Sequence, residues 1–473
     1  MKSWLLTIFF TGMIMSYMEA QSASMPSNVN WYRGKIEAAF DMAKEKNRPL
    51  FLYWGAVWCP PCNKMKKTLF ATEEFKKAVA GYIPVYLDGD DVSAQKWGEK
   101  LGVRGYPTML IYSAQGSELM RLPIGASLSE YVSLLNSIEK RSKNIKDVLN
   151  DILAGKGSES DWKIFSSYSW DQDSEAILKD GERVGTIKKV LDLSSTQSCL
   201  IKSKIFFYYL SLLILDKKNE ISADERATLR NEFLNYLRIP DVVFSNFESI
   251  VYNCVEILDA VVEKKQISEF EETIIKSMAN LRNSDKLSLE QRVSSFNPEI
   301  SFATKDQKKC EKKLVDLIIT EVQSASKNSV DAYDRQDVMS SAIDLLMKVE
   351  QFELAKTLAS VETKKAVAPF YFMLELAAIA EKEQKIDEAI RWKEQAWLTS
   401  TGGATRFQMG AGYITMLAKF KQDKKKILES VDQLFQEVEK TEDWFHGRSK
   451  RVAVKLLETL AMWGNENSAD KDF

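Results

Sequence analysis

The hydrophobic period of this chain changes once, near residue 144, and that change limits the folds open to it. Before it, short apolar runs alternate with amphipathic stretches. Lys35 to Lys46 carries Ile36, Ala39, Phe40 and Ala43 at helical spacing, and Asn47-Arg48-Pro49 stops it. Leu50 to Gly55 predicts a short buried strand, and Asn63 to Phe70 begins a helix. Tyr82 to Leu87 predicts a second strand, ended by the turn cluster Asp88-Gly89-Asp90-Asp91. Val92 to Leu101 predicts a helix closed by Gly102. Pro107 introduces a strand at Thr108 to Tyr112, and the turn Ser113 to Ser117 leads to another at Glu118 to Leu122. Gly125 precedes a last helix, Ser127 to Lys140. This alternation over 31–143 predicts the α/β class, with a central sheet covered on both faces.

After residue 144 strand signals nearly vanish, and the expectation is a large all-α region of bundle or repeat type. Candidate helices are Ile145 to Leu153, Ile201 to Leu215, Glu225 to Leu237, Phe247 to Glu263, Ile267 to Leu281, Lys312 to Ser324 and Asp337 to Val349. The division drawn from the sequence is an α-helical domain over 144–335, a second helical region over 336–465 and a polar tail over 466–473. Phe352 to Ala359 and Ile386 to Lys393 align at an offset of 34, with Ala355 over Ala389. That period is the one of a tetratricopeptide repeat, and Leu376, Ala377 and Ala396 fall where such a repeat packs small or apolar residues. An ordinary α-hairpin pair remains the alternative.

A length of 473 residues suggests about two to four domains. The balance of 65 basic against 67 acidic residues leaves no field of one sign, so nucleic acid is not expected as a partner. Lys2, the uncharged apolar stretch Trp4 to Tyr17 and the small residues Ala20, Ser22, Ala23 and Ser24 together predict a secretory signal peptide over 1–22. An uncleaved membrane anchor facing the periplasm is the rival reading, although the stretch is shorter than the roughly 20 residues that span a bilayer. No cysteine lies there to carry a lipid. The expected compartment is exported and disulfide-permissive, the periplasm.

Trp58-Cys59-Pro60-Pro61-Cys62 falls between the first strand and a helix. A thiolate, not a thiol, attacks disulfides. Cys59 at a helix start would have its anion stabilised by unpaired N–H groups and the helix dipole, and is the expected nucleophile. Cys62, one turn on, can displace whatever Cys59 has captured and is the expected resolving thiol. Pro60 and Pro61 fix φ and suit a first helical turn.

These residues, with Trp54, with Gly102-Val103-Arg104-Gly105-Tyr106-Pro107-Thr108 and with Gly125, resemble the thioredoxin superfamily over roughly residues 31 to 143. The helix before the first strand is similar to the exported bacterial branch, which includes the soluble domain of thiol:disulfide interchange proteins. The resemblance implies that Pro107 is a cis-proline facing the dithiol, that the Tyr106 backbone pairs with an extended substrate, and that Trp58, Pro60 and Pro61 line the substrate site. The chain also departs from that pattern. Tyr53 stands where the family has a buried aspartate, Pro84 is read at the position of its buried lysine, and Lys67 at that of a helix-kinking proline. Proton transfer must then take another route. Neither residue between the cysteines is histidine, which tilts the expectation toward reduction or isomerisation.

The expected activity is thus that of an exported thiol:disulfide oxidoreductase acting on client proteins with cysteines or disulfides and reset by a separate redox partner. No cofactor beyond the Cys59-Cys62 pair is implied, and homodimerisation through the helical region is open. A helical adaptor or chaperone, using the first domain as a binding platform, is the alternative. Zinc needs four ligands, and the single histidine, His446, lies in the helical half without a second Cys-x-x-Cys. Cys199, Cys254 and Cys310 are read either as one disulfide plus a thiol or as small buried hydrophobes. His446 is read as a surface or capping residue, and the runs Lys64 to Lys67 and Lys424 to Lys426 as solvated faces, the first able to steer acidic clients.

Overall fold

The computed structural model describes residues 29–139, 141, 143–173, 177–215, 221–305, 308–420, 422–439 and 441–467. The expected signal peptide lies outside them, as does the tail beyond residue 467. Four strands, β1 (Leu50–Gly55), β2 (Ile83–Asp88), β3 (Thr108–Tyr112) and β4 (Glu118–Arg121), form one sheet in the order β2-β1-β3-β4. β1 runs parallel to β2 and antiparallel to β3, and β3 and β4 make a hairpin. Alternation along β1 sends Leu50, Leu52 and Trp54 to one face, where α1 (Ile36–Lys46) and α4 (Val92–Lys100) cover them. Phe51 and Tyr53 face the other way, toward α2 (Pro60–Thr68), α3 (Glu73–Val79) and α5 (Leu128–Ile138). α3 is absent from the sequence expectation. Its signal is local, Thr72 accepting from the Phe75 amide at the N-cap with Glu73 and Glu74 in the first turn.

Among the described residues no strand follows β4, and the chain continues as helices from Ile145 to Asn467. The first of them, Ile145–Leu153, sets Ile145, Val148, Leu149 and Ile152 into the same apolar cluster as Met120, Leu122, Leu134, Leu135 and Ile138. The division at 335/336 cuts through a continuous helix, Ala332–Lys348, whose Val338, Met339, Ala342 and Ile343 pack with Val293, Phe296 and Ile318. A boundary there would split one apolar cluster.

The offset of 34 is written into the backbone. Glu350 and Gln384 both take left-handed φ, 59° and 61°. The following N–H groups, of Gln351 and Lys385, both close back at 2.8 Å, on the carbonyls of Leu346 and Ala380. Helices then start at Phe352 and Ile386, with Ala355 and Ala389 fully buried.

Candidate redox site

The loop leaving β1 delivers Cys59 to the N-cap of α2, where its backbone is still extended and its Sγ accepts the Cys62 N–H at 3.3 Å. The helix therefore begins at Pro60, three residues before the apolar pattern announces it, because two prolines can occupy positions whose N–H groups would be orphaned anyway. Cys59 and Cys62 are joined by a disulfide, with Cα atoms 5.3 Å apart. Cys59 is 3% exposed and Cys62 buried. The Tyr106-Pro107 peptide is cis. Since Thr108 pairs with Trp54, Pro107 lies at the end of the sheet from which the Cys59 loop departs. The Tyr106 hydroxyl donates to the Gly89 carbonyl at 2.8 Å and accepts from Gln95 Nε2 at 2.7 Å. Trp58 Nε1 donates to Asp90. The strand pairing thus puts Pro107 and the Trp58–Cys62 loop at the same end of the sheet.

Behind the dithiol lies a polar cluster that the sequence pattern does not reveal. Tyr53 is buried and donates to the Cys62 carbonyl at 3.3 Å. The register places Tyr86 opposite Tyr53 and Asp88 opposite Gly55, so the residue facing Tyr53 is Tyr86 and not Pro84. Pro84 lies opposite Phe51, one pleat repeat away. Lys66, one turn after Cys62, is only 3% exposed and sits with Nζ 5.3 Å from the centre of the Tyr86 ring. Burial lowers the Lys66 ammonium to about 8, Asp88 opposing the shift. Burial raises the Asp88 carboxyl to about 6. Tyr53 is held well above the ordinary phenol range by burial, with Tyr86 and Asp88 adding to it. The run Lys64 to Lys67 is accordingly solvated only in part. Lys66 is inside, while Lys67 binds Asp331 at 2.7 Å and Lys64 lies 3.5 Å from Asp334, the N-cap and a first-turn residue of the Ala332–Lys348 helix. No lysine charge there is free to steer an acidic client as expected.

A family model described as a thioredoxin-like domain matches residues 36–138. Residues 36–138 are a thioredoxin-like domain. Two curated relatives are both named thiol:disulfide interchange protein DsbD. The one from Cronobacter sakazakii is 31% identical over 80 residues, 16% of this chain and 14% of the relative. The one from Klebsiella pneumoniae subsp. pneumoniae is 30% identical over 79 residues, 16% of this chain and 13% of the relative. The match thus spans about one seventh of the relatives' length.

Around the thioredoxin-like domain the helical half folds back onto the redox end. Trp58 packs with its ring centre 6.2 Å from Phe370 and 5.8 Å from Tyr371, and Arg448 lies over both Trp58 and Tyr106. Asp90, 8% exposed at its side chain, receives Arg448 at 2.8 Å and the Thr405 amide at 3.1 Å besides Trp58. None of Phe370, Tyr371, Thr405 or Arg448 carries a sequence signal for this role. Asp90 is visible in the sequence only as a turn residue. His446 bridges Glu99 at 3.1 Å and Asp443 at 2.8 Å, which raises its pKa, so it serves as a clamp between the two halves. Lys425 and Lys426 remain at the surface. Cys199, Cys254 and Cys310 are all free, respectively exposed, buried and half-buried. Among the described residues no group of three or more His, Cys, Asp or Glu side chains is arranged to hold a metal ion, and no helix is long and apolar enough to cross a membrane.

Proposed function

We propose that this chain is an exported, periplasmic thiol:disulfide oxidoreductase that reduces or isomerises client disulfides through Cys59-Pro60-Pro61-Cys62. The reading rests on Cys59 Sγ standing at the N-cap of α2 as an acceptor, with Cys62 one turn inward. In the reduced enzyme the Cys59 thiolate attacks one sulfur of a client disulfide. A Cys59–client bond forms, the client's S–S bond breaks and one client thiolate leaves. The Cys62 thiolate then attacks Cys59 Sγ, closing the Cys59–Cys62 bond and releasing the second client thiolate. Two electrons pass from the dithiol to the client, and the two leaving thiolates take up protons at their own pKa. Pro107 faces the dithiol, and Trp58, Tyr106, Pro60 and Pro61 line the client's path. A separate dithiol partner returns two electrons to the pair. The helical hairpins after Ala332, spaced as tetratricopeptide units are, form the scaffold beside it.

Reduction of a short peptide bearing one disulfide tests the reading. Cys59→Ser should lose activity by more than about 100-fold, given that the thiolate is the attacking group. Cys62→Ala should instead accumulate mixed disulfides with clients. Retained turnover in Cys59→Ser rejects the mechanism, and a potential near about −120 mV, that of a strong oxidant, rejects the reducing or isomerising direction.

A further inference from the structure

The dithiol end of the thioredoxin-like domain is flanked by the chain's own later helices at four places. On the flank of α2, Lys67 is ion-paired to Asp331. Over the Trp58 indole lie Phe370 and Tyr371. Against the 88–91 turn stands the start of the Gly403–Lys419 helix, and against α4 the segment 443–450.

The contact at Asp90 is built into the sequence of both partners. Gly402 is the N-cap of its helix and has no side chain to cap it. Asp90 of the thioredoxin-like domain accepts the N3 amide, that of Thr405, in its place. Gly402 holds φ at 83°, and a Cβ there would overlap the Asp90 carboxylate. The same carboxylate holds Trp58. The cover is therefore attached to the residue next to the nucleophile.

One side is covered less, Arg451 reaching only the Arg104 carbonyl there at 3.5 Å. Val57 is 38% exposed, Arg104 and Gly105 are exposed, and a Cβ on Gly105 would meet nothing within 4 Å. A single extended strand needs about 5 Å of width. A folded domain of 100 residues has a radius of gyration of about 13 Å.

We propose that the helices bearing Phe370, Thr405 and Arg448 are the specificity element of the dithiol, admitting small disulfides or one extended cysteine-bearing segment along the Val57–Gly105 side and keeping folded proteins off. This rests on the oxidoreductase reading and names its substrate class. The chemistry is unchanged: Cys59 takes one sulfur of the incoming disulfide, Cys62 releases it, and the two electrons reduce that disulfide.

The test compares single-turnover rates of the reduced full chain with oxidised glutathione and with a folded protein carrying one surface disulfide. Each rate is divided by that disulfide's own rate with dithiothreitol. The glutathione ratio should exceed the protein ratio by about tenfold or more, a steric barrier worth one decade. Glu99→Lys and Lys450→Glu each set like charges across the clamp between α4 and the 447–467 helix, away from the dithiol. Either should raise the folded-protein rate by about fivefold and leave the glutathione rate within about twofold, and the double exchange should cancel the gain. Equal normalised rates in the unaltered chain, or discrimination that both reversals leave untouched, overturn the specificity role. No reaction with glutathione disulfide sinks the oxidoreductase reading itself.

Discussion

Lys66 carries a charge into a site where burial opposes it, and its surroundings decide what removing it does. Tyr86 lies under the ammonium, Asp88 favours its charged form and Arg33 disfavours it. Because the folded-state pKa is about 8 against an ordinary value of 10.5, the charged side chain destabilises the fold at neutral pH. Lys66→Met should therefore stabilise the protein by roughly 2 kcal/mol at pH 7. The sign fixes the pH window. Between about 8 and 10.5 the unfolded chain holds the proton that the folded chain has shed, so unaltered protein gains stability as pH rises and the advantage of methionine shrinks. Urea melts of both proteins at pH 7 and 10 check this, and an advantage that grows with pH contradicts it. Cys254 gives a second test at this scale. Burial pushes its thiol up to about 12, whereas Cys199 is exposed. Iodoacetamide on the native chain at pH 8 should label Cys199 and spare Cys254 until denaturant is added. Sequence alone leaves these cysteines as a disulfide candidate or core residues, since nothing in their spacing reports burial.

At the scale of single elements, β4 shows how the sheet is tied to the helical half. Arg121 is buried, paired with Glu118 at 2.8 Å, and donates to the carbonyls of Leu101 at 2.7 Å and Gln172 at 3.0 Å. Tyr168 donates to the same glutamate at 2.8 Å. Arg121→Leu would leave Glu118 and the carbonyls of Leu101, Gly102 and Gln172 without their cation, a loss of about 3 to 5 kcal/mol. Chemical denaturation of Arg121→Leu measures it, and a change under about 1 kcal/mol would show that the network relaxes without the cation. The strands around Arg121 were legible from apolar runs bounded by turn residues, and the dithiol helix from its prolines. The Pro84 assignment failed because register between β1 and β2 is set by paired backbones and not by position within each run. Lys66 read as solvent-facing because a basic run has the same composition on either face of a helix. Only the packing of α2 on β1 and β2 distinguishes them.

Across the whole molecule the two halves meet in two different ways. The helices from Ile145 to Tyr168 complete the apolar cluster of the α2, α3 and α5 face, with Ile145, Val148, Ile152, Ile164 and Phe165 all buried. The C-terminal helix and the segment 443–446 before it meet α4 instead through charge, Lys450 and His446 on Glu99 and Lys96 on Asp443. None of these partners could be paired from sequence, since Asp90 and Arg448 are 358 residues apart. The difference in chemistry separates two truncations. A chain ended at residue 143 loses apolar cover worth about 1.5 to 3 kcal/mol per buried aliphatic side chain. It should melt more than about 10 °C lower than the full chain and bind an apolar dye. Removing only 447–467 withdraws the exposed Lys450–Glu99 pair, worth about 1 kcal/mol or less, together with the Arg448–Asp90 bond. The thioredoxin-like core should then keep its melting temperature within a few degrees, because its apolar faces stay covered. Should the C-terminal deletion be the more damaging of the two, the hydrophobic contact after residue 144 is not what holds the halves together.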